Sequence, residues 1–477
     1  MYYTQAAKDL RRFIQQLDDE GELLKITKEV DLDLELAAIV RKVCEMGERA
    51  TLFTNPKGRE GDELFRILGA SIGVSKRPGM ELCRIAKSIG LPSSATGHDV
   101  IAKINEAKSK PPIPCQKLDS GPVKDHVIRG DDIDLTKLPV PLLHEHDGGK
   151  FIDTLGIHVV QSLAGKWTNL RELVGLVIPE QDIGTIWNLW KEKGEDMPWA
   201  LCFGVPPAAI VVGGMPIPKW TNEPEFIGAL TGAPVDIVKC ETNDLCVPAN
   251  AGIVLEGVVS ISETAPEGPM VEYNCLVFPG RPTQCPIFKV NTITYRHDPI
   301  LPICVAGRAP DENSTIWSTM QAAVILDICQ KAGLPLKMVW CPFESHCLWF
   351  VFQVDRSKLV EMHTSMEEFS RKVGHTVFGS KPGWSIPKIF LVGDYIDPTN
   401  LADVIWAEAT RCEPDRHEFV FNEYSNTPLI PYVTYSLPSE SGMNGKVVKC
   451  YMLPAEFTEE TLPWKEGSFE GRLSGER

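Results

Sequence analysis

The run Gly252-Ile253-Val254-Leu255-Glu256-Gly257-Val258-Val259-Ser260-Ile261 passes without a break into Ser262-Glu263-Thr264-Ala265-Pro266-Glu267-Gly268-Pro269-Met270-Val271-Glu272. The first part is a near-continuous apolar stretch, which predicts a buried strand. The second part carries three carboxylates, Glu263, Glu267 and Glu272, with two prolines and a glycine fixing the backbone between them. Acids at the end of a rigid strand can be held close together. Like charge or burial then raises one acid's pKa until it keeps a proton near neutral pH. Such a group is a proton donor; a solvated turn with ordinary acids is the alternative.

Outward from this stretch, the texture changes twice. Leu10, Phe13, Ile14 and Leu17 share a helical face that Gly21 ends, Leu23 to Ile26 reads as a strand, and Leu34 to Cys44 reads as a second helix. Leu64 to Leu68 reads as another strand and residues 97 to 108 as a helix, before Pro111-Pro112-Ile113-Pro114 breaks the pattern. From about 123 to 310 the chain is β-rich, with strands predicted at Gly156 to Val160, Ala208 to Val212 and Asp236 to Lys239. Asp311 to Ala332 predicts a long helix. Trp317, Met320, Val324 and Ile328 share one face, Asn313 or Ser314 caps it, and Gly333 with Pro335 stops it. Beyond it, a strand at Ile389 to Val392 and a helix at Leu401 to Thr410 resume the alternation.

With 477 residues there is room for two or three domains. At 43% hydrophobic and 23% charged the composition is that of a soluble globular protein. A net charge of −16 argues against nucleic acid or an anionic membrane as partner. No apolar run is long enough to span a bilayer. Asp9, Asp18, Asp19 and Glu20 near the start argue against a secretory or mitochondrial leader, so the expected location is the cytoplasm. Fourteen cysteines, none in a CxxC pair, read as mostly buried, reduced thiols.

There is no phosphate-cradling P-loop, no GxGxxG and no GxSxG. His144-Glu145-His146-Asp147 has the look of a metal cluster, since His144 and His146 would share a face on a strand. No third ligand stands at a recognisable spacing, so structure or surface is the preferred reading. A metal-dependent hydrolase centred there is the weak option.

Many separate segments, in one order, resemble one family. They include Phe65 to Ala70 (FRILGA), Leu138 to Leu142 (LPVPL) with Asp147 to Lys150 (DGGK), Trp167-Thr168-Asn169, and Trp199-Ala200-Leu201. Phe203 to Ile210 (FGVPPAAI), Met215 to Pro218, Asn291 to Arg296 (NTITYR) and Pro428 to Tyr432 continue the series. Together they resemble the UbiD family of reversible decarboxylases that use prenylated flavin mononucleotide, and most of all its fungal and yeast ferulic (cinnamic) acid decarboxylases. The resemblance implies an α/β (α+β) architecture: an N-terminal α/β region with a central split β-barrel that binds the flavin (residues 1–310), a linking helix (311–334) and a C-terminal α/β dimerisation domain with a tail (335–477).

The resemblance also implies a site. Glu267 and Glu272 match the family's two catalytic glutamates, with Glu272 as the proton donor; Glu263 lies outside the set. Asn169 and Glu223 match two ligands of a divalent metal, Mn²⁺ or Mg²⁺, held against the flavin phosphate. Asp182 stands where the family has a histidine; its oxygen still suits a hard cation. Gln181, Met215 and Lys381 complete the cofactor contacts, Lys381 as a point charge for the phosphate, and K⁺ is a further candidate ion. Ile178, Tyr273, Trp317, Thr427 and Leu429 fall at the substrate wall. There Tyr273, Trp317 and Thr427 replace aliphatic, Met or Phe side chains of cinnamate-type relatives, and the Tyr273 and Thr427 hydroxyls favour a polar ring substituent.

One departure is large. In that branch WTN runs on into Trp-Ser-Ile-Ala-Arg, a turn and a strand resembling Gly175-Leu176-Val177-Ile178. About ten residues are absent here, and two strands with a turn cannot fit into Leu170 to Val174, because even a short strand runs about four to eight residues. Arg171 is the arginine at hand, two positions earlier than the family's. It either takes over that role or is surface charge.

The functional expectation is a non-oxidative decarboxylase of α,β-unsaturated or aromatic carboxylic acids, a prenylated-FMN-dependent carboxy-lyase. A flavin prenyltransferase would supply the cofactor, and the assembly would be a homodimer or a higher homo-oligomer. The alternative is a family-like protein whose flavin chemistry is impaired or lost and which acts as a binding or assembly partner.

Overall fold

The computed structural model describes residues 2–59, 64–165, 167–172, 177, 181–217, 221–277, 283–427, 429–434 and 445–459, and of residues 2, 3, 171, 172 and 434 the backbone alone. The chain forms two compact units. The larger takes Met1–Val324 with Phe343–His346, the smaller Ile325–Pro342 with Cys347–Arg477. The boundary falls inside the long helix Glu312–Lys331, which therefore contributes to both.

The larger unit is organised around a six-stranded, wholly antiparallel sheet. Its order is His126–Arg129, Thr283–Tyr295, Ile253–Glu267, Met197–Phe203, Ile157–Gln161, Thr168–Glu172. The apolar run that begins at Gly252 forms the third strand. It is buried on both faces from Ile253 to Glu256 because it has a long neighbour on each side. The strand does not stop at Ile261, as the apolar run alone predicted. After a register shift between Val259 and Thr264 it continues to Glu267, which pairs with Thr283. Pro266 is tolerated because it sits in this irregular outer part.

Two smaller sheets flank the large one in this unit. One is mixed, in the order Leu23–Ile26, Ala50–Phe53, Arg66–Gly69, Ile300–Ile303. The other runs Cys246–Pro248, Asp236–Lys239, Gln116–Leu118. The helix Leu10–Asp19 is capped by Asp9, whose side chain accepts the Arg12 N–H at 3.0 Å. It buries Phe13, Ile14 and Leu17, and Gly21 turns the chain at φ +72°. Glu35–Glu45 and Gly97–Ser109 follow, the latter with a Thr96–Asp99 capping box.

One prediction fails. Ala208 to Val212 is not a strand but lies inside the helix Pro207–Gly213, every residue of which is buried. A helix with no exposed face has no 3.6-residue polar rhythm, so a short apolar run cannot be told from a buried strand. Pro207 in the first turn was the usable cue. The long helix also differs at its start. Asp311 caps it, accepting the Ser314 N–H at 3.0 Å, while Ser314 Oγ accepts the Asp311 N–H at 2.9 Å.

The smaller unit holds a five-stranded mixed sheet ordered Leu336–Trp340, Trp349–Val354, Lys388–Gly393, Lys446–Cys450, Glu418–Phe421. The helices Met366–Phe378 and Leu401–Arg411 accompany it. Phe390 and Tyr451 stack at 5.4 Å within its core, and burying a ring of this size stabilises by about 1.5–3 kcal/mol. The protein is thus mixed α/β. All fourteen cysteines are free thiols, most of them buried. Among the described residues no helix is long and apolar enough to cross a membrane.

Candidate active site

The carboxylate segment leaves the sheet at Glu267. Glu267 and Glu272 are both partly buried, and Glu263 forms an ion pair with Lys289 on the neighbouring strand, which gives Glu263 a structural role. Beyond Glu267 the chain turns through Gly268 at φ +94°, a conformation that favours glycine. The Glu272 backbone closes a tight loop, with Glu272 N–H donating to Leu276 O at 2.9 Å and Cys275 N–H to Glu272 O at 2.9 Å.

A second segment holds this one in place. The Gly148 N–H donates to Pro269 O at 2.7 Å, and the Val271 N–H donates to Asp147 Oδ1 at 3.0 Å. A Cβ at Gly148 would overlap the Gly268 carbonyl, so the approach requires glycine there. The Asp147 side chain is fully buried. Its other oxygen accepts the His144 N–H at 3.1 Å and faces His144 Nδ1 at 3.2 Å, and His144 Nε2 donates to Ala306 O at 2.7 Å. His144 is therefore engaged as a structural tie. His146 is exposed. Among the described residues no group of three His, Cys, Asp or Glu side chains could hold a metal.

The residues expected around the cofactor gather at the Thr168–Glu172 strand. The helices Asp182–Lys193, Pro207–Gly213 and Glu223–Thr231 all pack against it. Asp182 and Glu223 are the first residues of their helices, Gln181 stands at the N-cap position of Asp182–Lys193 without a side-chain hydrogen bond, and Met215 follows Pro207–Gly213 and is buried. Asn169 and Glu223 are brought together: Asn169 Nδ2 donates to Glu223 Oε1 at 3.0 Å, and the Leu170 N–H donates to Glu223 Oε2. Asn169 Oδ1 is buried and has no hydrogen-bond partner among the described residues. A buried amide oxygen left without a donor beside a buried carboxylate fits a hard, oxygen-seeking cation. Arg171 lies in the same strand, paired across the sheet with His158. Its side chain is outside the described residues, as is Ile178.

At the expected substrate wall, Tyr273 and Trp317 meet edge to face with ring centroids 5.1 Å apart. The His346 ring lies 6.3 Å from Tyr273. His346 Nε2 accepts the Ala309 N–H at 2.7 Å, so the ring proton sits on Nδ1, and burial pushes its pKa down to about 4. In the smaller unit, Lys381 heads the turn Pro382–Ser385 and is exposed. Thr427 is buried, and its N–H donates to Trp384 O at 3.1 Å. Leu429 N–H donates to Thr427 Oγ1 at 3.3 Å.

Three family models match the chain in sequence. They are the N-terminal domain of 3-octaprenyl-4-hydroxybenzoate carboxy-lyase over residues 14–104, its Rift-related domain over 116–309 and its C-terminal domain over 314–449. The chain belongs to the UbiD family. This UbiD-family chain is 41% identical over 465 residues to pyrrole-2-carboxylic acid decarboxylase of Pseudomonas aeruginosa, covering 95% of the chain and 93% of that relative. It is 39% identical over 456 residues to ferulic acid decarboxylase 1 of Saccharomyces cerevisiae, covering 93% of the chain and 90% of that relative. Its fold is similar to an evolved dimeric form of the UbiD-class enzyme HmfF from Pelotomaculum thermopropionicum in complex with prFMN. That match has a TM-score of 0.76 at 23% identity and covers 96% of this chain and 97% of the other. The family, the mixed α/β fold and the decarboxylase class expected from the resemblance are borne out.

The sequence marks Asp147 as a member of the His144–Asp147 run and of the DGGK motif, but not as the anchor of the Glu267–Glu272 segment. The carboxylate's position three residues after His144, before two glycines, was the local signal of a turn that could reach another strand.

Proposed function

We propose that this chain is a non-oxidative decarboxylase of aromatic or α,β-unsaturated carboxylic acids that works with prenylated FMN. The observation that carries the reading is the anchoring of the Glu267–Glu272 segment by Asp147 and Gly148. When bound, the flavin supplies the electron sink for carbon–carbon bond cleavage. The protein's residues position, desolvate and protonate. Arg171 would pair with the substrate carboxylate, and Glu267 would tie that arginine to Glu272. The bond to the carboxylate carbon breaks, carbon dioxide leaves, and Glu272 delivers the proton that forms the new C–H bond.

Asn169, Asp182 and Glu223 would hold Mn²⁺ or Mg²⁺, with K⁺ as a further ion; the divalent cation would neutralise the flavin phosphate together with Lys381. Gln181 and Met215 would flank the cofactor. Tyr273 and Trp317 would give the substrate ring an aromatic wall; Ile178, Thr427 and Leu429 are the further substrate-contacting residues that the family resemblance implies. The relatives acting on ferulic acid and on pyrrole-2-carboxylic acid bracket the substrate class, a planar acid with a conjugated or heteroaromatic ring. The protein would act in the cytoplasm as a homo-oligomer.

The short span between Asn169 and Gly175 and the Asp182 replacement favour a second reading, loss of flavin chemistry with retention of a binding role. One experiment separates the two. The chain is co-expressed with a flavin prenyltransferase, its flavin absorbance is recorded, and carbon dioxide release is measured with ferulic, cinnamic and pyrrole-2-carboxylic acids. Flavin-loaded protein that releases carbon dioxide from at least one acid supports the proposal. Loaded protein inert to all of them overturns it.

A further inference from the structure

Lys446 opens the Lys446–Cys450 strand of the smaller unit and is 0% exposed. A lysine is almost never fully buried without a carboxylate partner. Here Nζ donates to Gly383 O at 2.8 Å, Ile386 O at 3.0 Å and Asn426 Oδ1 at 2.8 Å, with Trp384 O further off at 3.4 Å. The Phe378 ring covers it at 5.4 Å. Three close neutral acceptors match the three donors of an ammonium.

The acceptors come from two segments. Gly383 to Ile386 follow Lys381-Pro382, and Asn426 immediately precedes Thr427. Nothing bulkier than glycine fits at 383, because a Cβ there would overlap the Val377 carbonyl. The turn is thus pressed against the end of the Met366–Phe378 helix on one side and laced to Lys446 on the other. Without that lacing, three polar oxygens would be left in the interior.

We infer that Lys446 is a positioning residue that ties the Lys381–Ile386 turn to Asn426 and Thr427 and thereby sets how well the turn holds the flavin phosphate. This rests on the reading of Lys381 as the phosphate contact.

The charged groups on the surrounding elements are engaged elsewhere or exposed. His375 bonds Tyr424 OH at 2.9 Å and faces Glu423, Arg371 pairs with Glu367, and Lys372 is exposed. Lys388 lies over the Tyr432 ring, Lys449 pairs with Glu408 and Glu418, and Lys381 is exposed. Burial alone accordingly lowers the Lys446 pKa from 10.5 to about 7. Opening the tie returns the amine to water, where its ordinary value applies, so opening takes up a proton above pH 7. Linkage then gives the sign: resistance to opening is level below about pH 7 and grows by up to about tenfold per pH unit above it.

The test uses the full chain and its Lys446→Met and Lys446→Arg variants. Amide-exchange protection factors are measured for residues 381–386 and 424–427 from pH 6 to 9, and FMN affinity is measured alongside. The parent should show the rise above pH 7. The Met variant should be less protected in these two segments at every pH and should bind FMN on the order of tenfold more weakly. The Arg variant, charged throughout, should keep the protection without the pH-dependent rise and bind FMN within about threefold of the parent. A lysine that merely fills the core would lower the protection of the whole sheet alike and leave FMN affinity unchanged. Parent protection that is flat across pH, or a Met variant as protected as the parent, overturns the inference. Loss of protection with unchanged FMN affinity would leave the tie standing and sink the reading of the turn as the phosphate site.

Discussion

The Asp147 carboxylate and the Val271 backbone N–H, 124 positions apart in sequence, meet at 3.0 Å. Val271 is the residue before the expected proton donor, so the placement of Glu272 depends on an acid in a different segment. Asp147→Ala removes the buried acceptor of two backbone donors, the Val271 and His144 N–H groups. It should lower kcat by about 10²-fold, the scale of a 1 Å misplacement, and cost about 1–3 kcal/mol of stability. KM should change less than kcat. A variant with unchanged kcat but reduced melting temperature would show that Asp147 supports the fold alone.

Glu272 carries the chemical step in the proposed function. Glu272→Gln keeps size and hydrogen bonding while removing the transferable proton. Carbon dioxide release should fall by about 10²–10⁴-fold, with circular dichroism and flavin absorbance unchanged. Activity within about threefold of the parent would assign the proton to another group.

Tyr273 and Trp317 touch, so their effects should not add. Trp317→Ile and Tyr273→Met each restore side chains typical of cinnamate-type relatives and should raise the kcat/KM ratio of cinnamic to pyrrole-2-carboxylic acid. The double variant should deviate from additivity by about 0.5–1.5 kcal/mol, the worth of an aromatic pair. Ratios that stay constant across the acids would remove both residues from the pocket.

The shortened segment and Asp182 bear on cofactor retention. The chain should fold as it stands yet hold prenylated FMN weakly, because changes to groups that orient a metal commonly cost about 10–100-fold in affinity. Grafting a ribbon that contains Trp-Ser-Ile-Ala-Arg between Asn169 and Gly175, with Asp182→His, should raise flavin absorbance, bound manganese and carbon dioxide release together. A parent protein already saturated with flavin and metal would show that Arg171 and Asp182 suffice.

Two acids at the start of the long helix set a pH dependence. Asp311 and Glu312 are both fully buried, and Glu312 Oε1 has no hydrogen-bond partner among the described residues. Burial, and then the neighbouring Asp311 charge, raises Glu312 from 4.5 to about 7; burial raises Asp311 from 3.8 to about 6. Arg41 and Arg84 offset only part of this. The folded state therefore binds more protons than the unfolded one between about pH 4.5 and 7, and stability falls as pH rises through that window. Glu312→Gln should remove much of the fall and stabilise the protein at pH 8 by about 2–3 kcal/mol. Thermal melting at pH 5 and pH 8 measures both; a parent whose melting temperature rises between them contradicts the assignment.

Local rules worked where an element had two distinct faces or a marked end. Leu23 to Ile26 is a strand at those residues, and the helix predicted over 97 to 108 spans Gly97–Ser109. They failed where burial erased the pattern, as in Pro207–Gly213, and where pairing with a long neighbour carried a strand past its apolar run to Glu267. The site was legible only in part. Asn169 and Glu223 are 54 positions apart, and nothing local says that they meet; the family resemblance, not periodicity, singled them out. The anchoring role of Asp147 and the tie made by Lys446 are not legible in the sequence, because distant groups, most of them backbone, make them and leave no trace in the identity of neighbouring side chains.

The chain passes between its two compact units three times, after Val324, after Pro342 and after His346. The short return visit, Phe343–His346, delivers the acceptor for the Ala309 N–H to the larger unit. The two halves of the gene product are therefore not separable by one cut. A break placed after the long helix would strip the larger piece of His346 and leave the Ala309 N–H without its acceptor. Separately produced fragments should recover their native form only when mixed, as complementing halves. For the same reason, loops within one unit, not the long helix whose residues are divided between the two, are the sound places for tags and insertions.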